Sequence, residues 1–118
     1  MTAPQMICHL HDSLEVATGI KPAEPRNSGL DNALIRWLVI YALPWPKGKA
    51  RSAPEMLMTQ PTQWHTDLER LRGLLAAAAQ RGPGGKWARH PTFGELGGTQ
   101  YGHLIYKHFN HHLTQFGV

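Results

Sequence analysis

Apolar residues in this chain recur at helical intervals. From Gln63 to Gln80 the sequence reads QWHTDLERLRGLLAAAAQ, with Trp64, Leu68, Leu71, Leu75 and Ala79 three or four residues apart. That spacing lines one side of a helix with 3.6 residues per turn. Thr62 stands where a capping oxygen is expected, and Arg81-Gly-Pro-Gly-Gly85 ends the element. At the start of the chain, Thr2-Ala-Pro-Gln5 has the spacing of a capping box. In such a box the Thr oxygen takes an amide of the first turn and the Gln side chain reaches back. Pro4 is tolerated there, because its missing N–H falls among amides that have no intrahelical partner. This first helix runs to Gly19, a residue suited to the left-handed conformation that ends many helices.

Asp31 to Tyr41, DNALIRWLVIY, is so apolar that its periodicity fits helix or strand. Helix is expected, because no second strand is available to pair with it, and Pro44-Trp-Pro-Lys-Gly48 breaks it. Ser52-Ala-Pro-Glu55 repeats the capping-box spacing and opens one or two turns through Met58. Thr99 is expected to cap a last helix that runs through Phe116. No strand-type alternation, hairpin turn signal or internal repeat occurs. The predicted fold is all-α, with three long helices and one shorter one joined by two long Pro/Gly-rich connections. This suggests an up-down helical bundle. A chain of 118 residues suits a single domain, 1–118.

Composition narrows the function classes. Hydrophobic residues make up 42% and charged residues 17%, which is globular rather than disordered. The net charge of +4 is scattered over Lys47, Lys49 and Arg51, Arg70 and Arg72, and Arg81, Lys86 and Arg89. No stripe of Lys and Arg interleaved with aromatics forms, so nucleic acid is not an expected partner. The one cysteine, Cys8, excludes an intrachain disulfide and a Cys-rich zinc site, and suits a reducing compartment. MTAPQMICHLHDS lacks the basic start and apolar run of a signal peptide, and no stretch approaches the roughly 20 apolar residues of a membrane helix. A cytoplasmic location is the expectation. There is no G-x-S-x-G elbow, and Gly84-Gly85-Lys86 is not a phosphate loop, since Gln80 stands where its leading Gly belongs.

Histidine is the residue type that carries chemistry here. On the last helix His112 lies one turn beyond His108 and about 40° round from it. Tyr101, Leu104 and Ile105 share that side, as does Gln115. Two buried imidazoles need partners for their ring nitrogens. Metal ligation provides them, because neutral imidazoles at i and i+4 can chelate one ion; hydrogen-bonded core histidines are the other reading. A third ligand from another helix would favour metal. His9 is the candidate, on a face with Met6, Ser13 and Val16, whereas His11 projects about 200° away from it. His111 flanks the stripe, as a solvent-facing residue or a donor to a ligand. His65 and His103 read as surface positions, and His90 in HPTFG as a turn or lid residue. Cys8 lies about 100° round from His9 and reads as core packing. Asp12 and Glu15 lie off the His9 face and Glu95 sits in a loop, so no general base stands out.

Taken in order, QMICHLHDSLEVATG, LPWPKGK, SAPEM and HPTFGELGGTQYGHLIYKHFNHHLTQFG resemble a branch of the DinB/YfiT-like metalloenzyme superfamily. The resemblance covers nearly the whole chain. It implies a four-helix bundle in which His9, His108 and His112 hold a divalent metal, zinc or nickel by preference, with Gln115 orienting a ligand or a bound water. Three protein ligands leave positions for water or substrate, as in catalytic sites. The activities it implies are those of thiol-dependent transferases or isomerases acting with a small-molecule thiol, and after them metal-assisted hydrolysis. A non-catalytic metal-binding or interaction protein is the alternative, with Trp45 as an interface anchor or as a ring packed over the core edge. Ligand imidazoles must be neutral, so metal affinity is expected to fall below about pH 6.5.

One departure bears on the fold. In that superfamily a complete long helix precedes the segment with the first histidine, whereas eight residues precede His9 here. An apolar stripe is therefore expected to lie exposed, either because a helix is missing or because a partner chain, a second copy included, fills the groove.

Overall fold

The computed structural model describes residues 1–25, 29, 32–45 and 54–117. Its elements are α1 (Ala3–Thr18), α2 (Ala33–Trp37) running on into a π-helical turn (Leu38–Ala42), a 3-10 turn (Pro54–Leu57), α3 (Trp64–Arg81) and α4 (Gly98–Gln115). The fold is all-α. Among the described residues the one extended pairing is an isolated bridge between His90 and Gly94. No helix among them is long and apolar enough to cross a membrane.

α1 begins as its capping box dictates. Gln5 Oε1 accepts from the Thr2 amide at 2.7 Å, and Thr2 Oγ1 accepts from the Gln5 amide at 3.3 Å. It ends at Gly19, which adopts φ 84°. α1 is the central element: it packs against α3, the 3-10 turn and α4, while α3 and α4 make no close backbone approach to each other. Its Met6, Ile7, Leu10 and Leu14 form one core with Leu71 and Ala78 of α3, overlaid by Ile105, Phe109 and Leu113 of α4. A second core joins Ala17 and Ile40 to Phe93, Leu96, Tyr101 and Leu104. All six apolar side chains of α1 from Met6 to Ala17 other than Cys8 are buried, and so is Cys8.

Of the apolar segment expected to be helical, the described part is so, from Ala33 through Ala42. Asn32 caps it, its Oδ1 accepting from the amides of Leu34 and Ile35. The segment ends in a wider turn, in which the Leu43 amide reaches back to Leu38 O at 2.8 Å just ahead of Pro44. The expected Ser52 box lies outside the described residues.

Three expectations need correction. Thr62 does not cap α3. The helix starts at Trp64, and the carboxylate of Asp67 accepts from both the amide and the hydroxyl of Thr62, at 2.9 and 2.7 Å. Nor does Thr99 cap α4. It lies in the first turn, and Gln100 Oε1 accepts from the amide of the preceding Gly97 at 3.0 Å. The buried face of α3 is also turned from the expected one. Asp67, Leu71 and Ala78 are buried, whereas Trp64 is 49% and Leu75 37% exposed. The helix faces the core along Leu71 and Ala78, with Leu68 and Leu74 packed against them, and leaves the Trp64–Leu75 edge outside.

Candidate metal centre

Two helices deliver three imidazoles to one point. α1 contributes His9, which is 2% exposed, and α4 contributes His108 and His112. Nε2 of His108 lies 2.9 Å from Nε2 of His9 and 3.1 Å from Nε2 of His112. All three pairs of ring centroids are 4.8 Å apart, with the planes steeply inclined, so nitrogens rather than faces meet at the centre.

Hydrogen bonds outside the triad fix which nitrogens carry protons. His9 Nδ1 lies 2.9 Å from the carbonyl of Met56. A carbonyl only accepts, so Nδ1 carries the hydrogen and Nε2 presents its lone pair. His112 Nδ1 lies 3.2 Å from Gln115 Oε1, placed to donate to it in the same sense. Nε2 of His108 can carry one proton, yet two nitrogens face it. One N–H must therefore serve two close N···N contacts, an arrangement that a cation shared by all three nitrogens would relieve.

The donor set fits a divalent metal. Metal–nitrogen bonds of about 2.0–2.1 Å at tetrahedral angles separate the nitrogens by roughly 3.3 Å, close to the two spacings seen here. Carbonyl and amide partners on the far ring nitrogens are the usual supports of ligating histidines. Burial keeps the rings neutral. It lowers the pKa of His9 and takes His108 well below the ordinary histidine value, helped there by the neighbouring imidazoles. His112 is brought down to about 4, chiefly by burial and then by His9.

Gln115 shares the helix with His112 but is exposed, its Oε1 3.2 Å from His112 Nδ1 and its Nε2 3.4 Å from Nε2 of the half-buried His111. Trp45 packs over the site: its ring lies 5.9 Å from those of His108 and His111, and its Nε1 donates to Val39 O at 2.9 Å. Lys107, next to His108 in sequence, is drawn away to the carbonyls of Val39, inside the π turn, and Leu43, just after it. Beside His9 opens a cleft of about 240 Å³ lined by Met1, Gln5, Leu57, Thr59, Gln60 and Pro61.

The other histidines stand apart. His90 is a turn residue rather than a lid, its Nδ1 accepting from the amides of Thr92 and Phe93 at 3.0 and 3.1 Å, and burial lowers its pKa to about 4. His65 and His103 are exposed. His11 belongs to a second group with Asp12 and Glu15 that has ligand-like spacing. That group already holds a cation, since Lys21 Nζ lies 2.8 Å from Asp12 and 3.7 Å from Glu15. Cys8 is buried, burial raises its pKa, and its Sγ lies 3.9 Å from Asp67 Oδ2. Glu95 is exposed, and its carbonyl takes a bond from Arg36.

Two buried carboxylates, Asp12 and Asp67, had no assigned role in the sequence. Their partners, Thr59 and Lys21 for Asp12 and Thr62 for Asp67, carry no motif that marks them. Family models, curated proteins and solved structures were all compared with this chain, and none matches.

Proposed function

We propose that the chain is a divalent-metal-dependent enzyme of the DinB/YfiT-like type, with the metal held by His9, His108 and His112. One observation carries this reading: three Nε2 nitrogens from two helices converge, with the His9 tautomer fixed so that its lone pair points inward. Imidazole donors suit zinc or nickel. A metal bound by three protein ligands supplies Lewis acidity to a water or thiol at its remaining position. The chain's own contribution is to orient the imidazoles through Met56 O and Gln115 and to keep them neutral by burial. Thiol transfer or isomerisation is the activity to test first, and metal-assisted hydrolysis second.

A non-catalytic metal-binding role is the second reading. It is favoured by the carboxylates, because none among the described residues is hydrogen-bonded to the three imidazoles, and Asp12 is committed to Thr59 and Lys21.

The deciding experiment is metal analysis of the purified protein beside His108→Ala and His112→Ala, with helicity measured by circular dichroism. Stoichiometric metal in the parent that is lost in both helical variants is the expected result. Metal retained in either variant would overturn the ligand set. Turnover of an electrophile with a small thiol by the loaded protein separates the catalytic reading from the non-catalytic one.

A further inference from the structure

Asp12 shares α1 with His9, three residues away, and is wholly buried. None of its hydrogen bonds goes to the three site histidines, and His11 Nδ1 lies 3.8 Å from its Oδ1. Its Oδ2 accepts from the amide of Thr59 at 2.9 Å and its Oδ1 from the Thr59 hydroxyl. Lys21 Nζ donates to the same Oδ1 at 2.8 Å and also to the carbonyl of Glu55 at 3.3 Å. The carboxylate and the ammonium thus pin the segment from Glu55 to Thr59 at both ends. Between those ends lies Met56, whose side chain is buried against Val16 of α1, and whose carbonyl meets His9 Nδ1 at 2.9 Å.

We infer that Asp12 is a positioning residue for the histidine centre: by clamping Thr59 and, through Lys21, Glu55, it fixes the Met56 carbonyl that selects the His9 tautomer. The inference rests on the metal-site reading above. Its physical content is separate, because the tautomer of His9 exists with or without metal. The plain alternative is a buried ion pair that only holds a loop. Such pairs often contribute little net stability, because desolvating both charges offsets their attraction. In the positioning role, one rigid helix carries both the histidine and the carboxylate. The 55–59 segment then cannot slide past His9 without breaking the bonds at Asp12. Partners behind a ligating histidine commonly contribute tenfold or more to metal affinity, and Asp12 acts one bond further out through the loop.

The test compares the full chain with Thr59→Val, Thr59→Ser, Asp12→Asn and Asp67→Asn. Two quantities are read: the His9 tautomer from imidazole ¹⁵N shifts in the metal-free protein at neutral pH, and zinc affinity by competition with a chromophoric chelator. The parent should show a single Nδ1–H tautomer. Thr59→Val and Asp12→Asn should show mixed tautomers and zinc affinity lowered by about tenfold. Thr59→Ser keeps the hydroxyl and should behave as the parent. Asp67→Asn weakens the other buried carboxylate, on α3, and should lower the melting temperature without moving either readout. A folded Thr59→Val protein with one tautomer and parental affinity would overturn the inference, and that variant decides alone if Asp12→Asn does not fold. A parent that binds no zinc would count against the metal reading, while the tautomer comparison would still decide the role of Asp12.

Discussion

Desolvation decides the charge of the site histidines. The imidazoles of His9, His108 and His112 all titrate below the ordinary histidine value, His112 at about 4. A group with a lower pKa folded than unfolded binds more protons when the chain unfolds, so stability rises with pH between the two values. Here the window runs from about 6.5, the unfolded histidine value, down to about 4, the folded value for His112 and His90. The stability contributed by neutral burial is complete above the window and is lost as pH falls through it. The urea midpoint of the metal-free protein should therefore be flat from pH 8 to 7 and drop steeply by pH 4.5. A midpoint unchanged over that drop would contradict neutral burial. The same shift alters the expected pH dependence of metal binding. Free histidine placed proton competition at about 6.5, but folded ligands that stay neutral to lower pH move its onset down. The convergence of these residues was legible in part. His108, His112 and Gln115 announce themselves by helical spacing, and His9 by the apolar company it keeps on α1. Met56 was not legible, because its contribution is a backbone carbonyl 47 residues from His9 in sequence.

Helix ends and faces were read with uneven success. Thr2 with Gln5, and Gly19, act locally, so a local reading finds them. Thr62 failed as a cap because α3 starts at Trp64, which puts Gln63 in the capping position and leaves Thr62 one residue outside it, its amide and hydroxyl donating to Asp67 instead. Asp67→Ala removes the acceptor for the Thr62 amide and hydroxyl and should fray the start of α3, seen as faster amide exchange at Thr62 through Asp67. Unchanged exchange there would show that the helix start does not depend on this carboxylate. The start of α4 has a stricter requirement. A Cβ at Gly98 would overlap the backbone of Pro83 in the loop that follows α3, and backbone, unlike a flexible side chain, cannot move aside cheaply. Gly98→Ala should cost about 1–3 kcal/mol, as overpacking does, whereas Gly102→Ala on the same helix meets nothing within 4 Å. Equal melting temperatures for the two variants would contradict the close approach of the Pro83 loop to α4.

For the molecule as a whole, the three histidines join elements that are otherwise loosely tied. α1 is packed extensively on α3 but shares a smaller interface with α4, and α3 and α4 do not approach each other closely. The cluster of Nε2 atoms lies across the weaker α1–α4 junction, so a cation there would act as a cross-link between them. A ligand that binds only the folded state stabilises it by mass action, about 2.7 kcal/mol at a hundredfold excess over its dissociation constant. For a domain of this size that corresponds to a rise of roughly 10 °C in melting temperature. Adding zinc to the metal-free protein at pH 7.5 should produce such a rise, and His112→Ala should abolish the zinc-dependent part while still melting cooperatively without metal. Near pH 4, where His112 itself takes up a proton, the rise should vanish in the parent as well. A rise that survives His112→Ala would place zinc elsewhere, with the group of His11, Asp12 and Glu15 as the next place to look. That group would have to displace Lys21 to accept it, so a competing site there should bind more weakly and gain affinity in Lys21→Met. The pair of titrations therefore distinguishes a cross-link between α1 and α4 from a cation held on α1 alone.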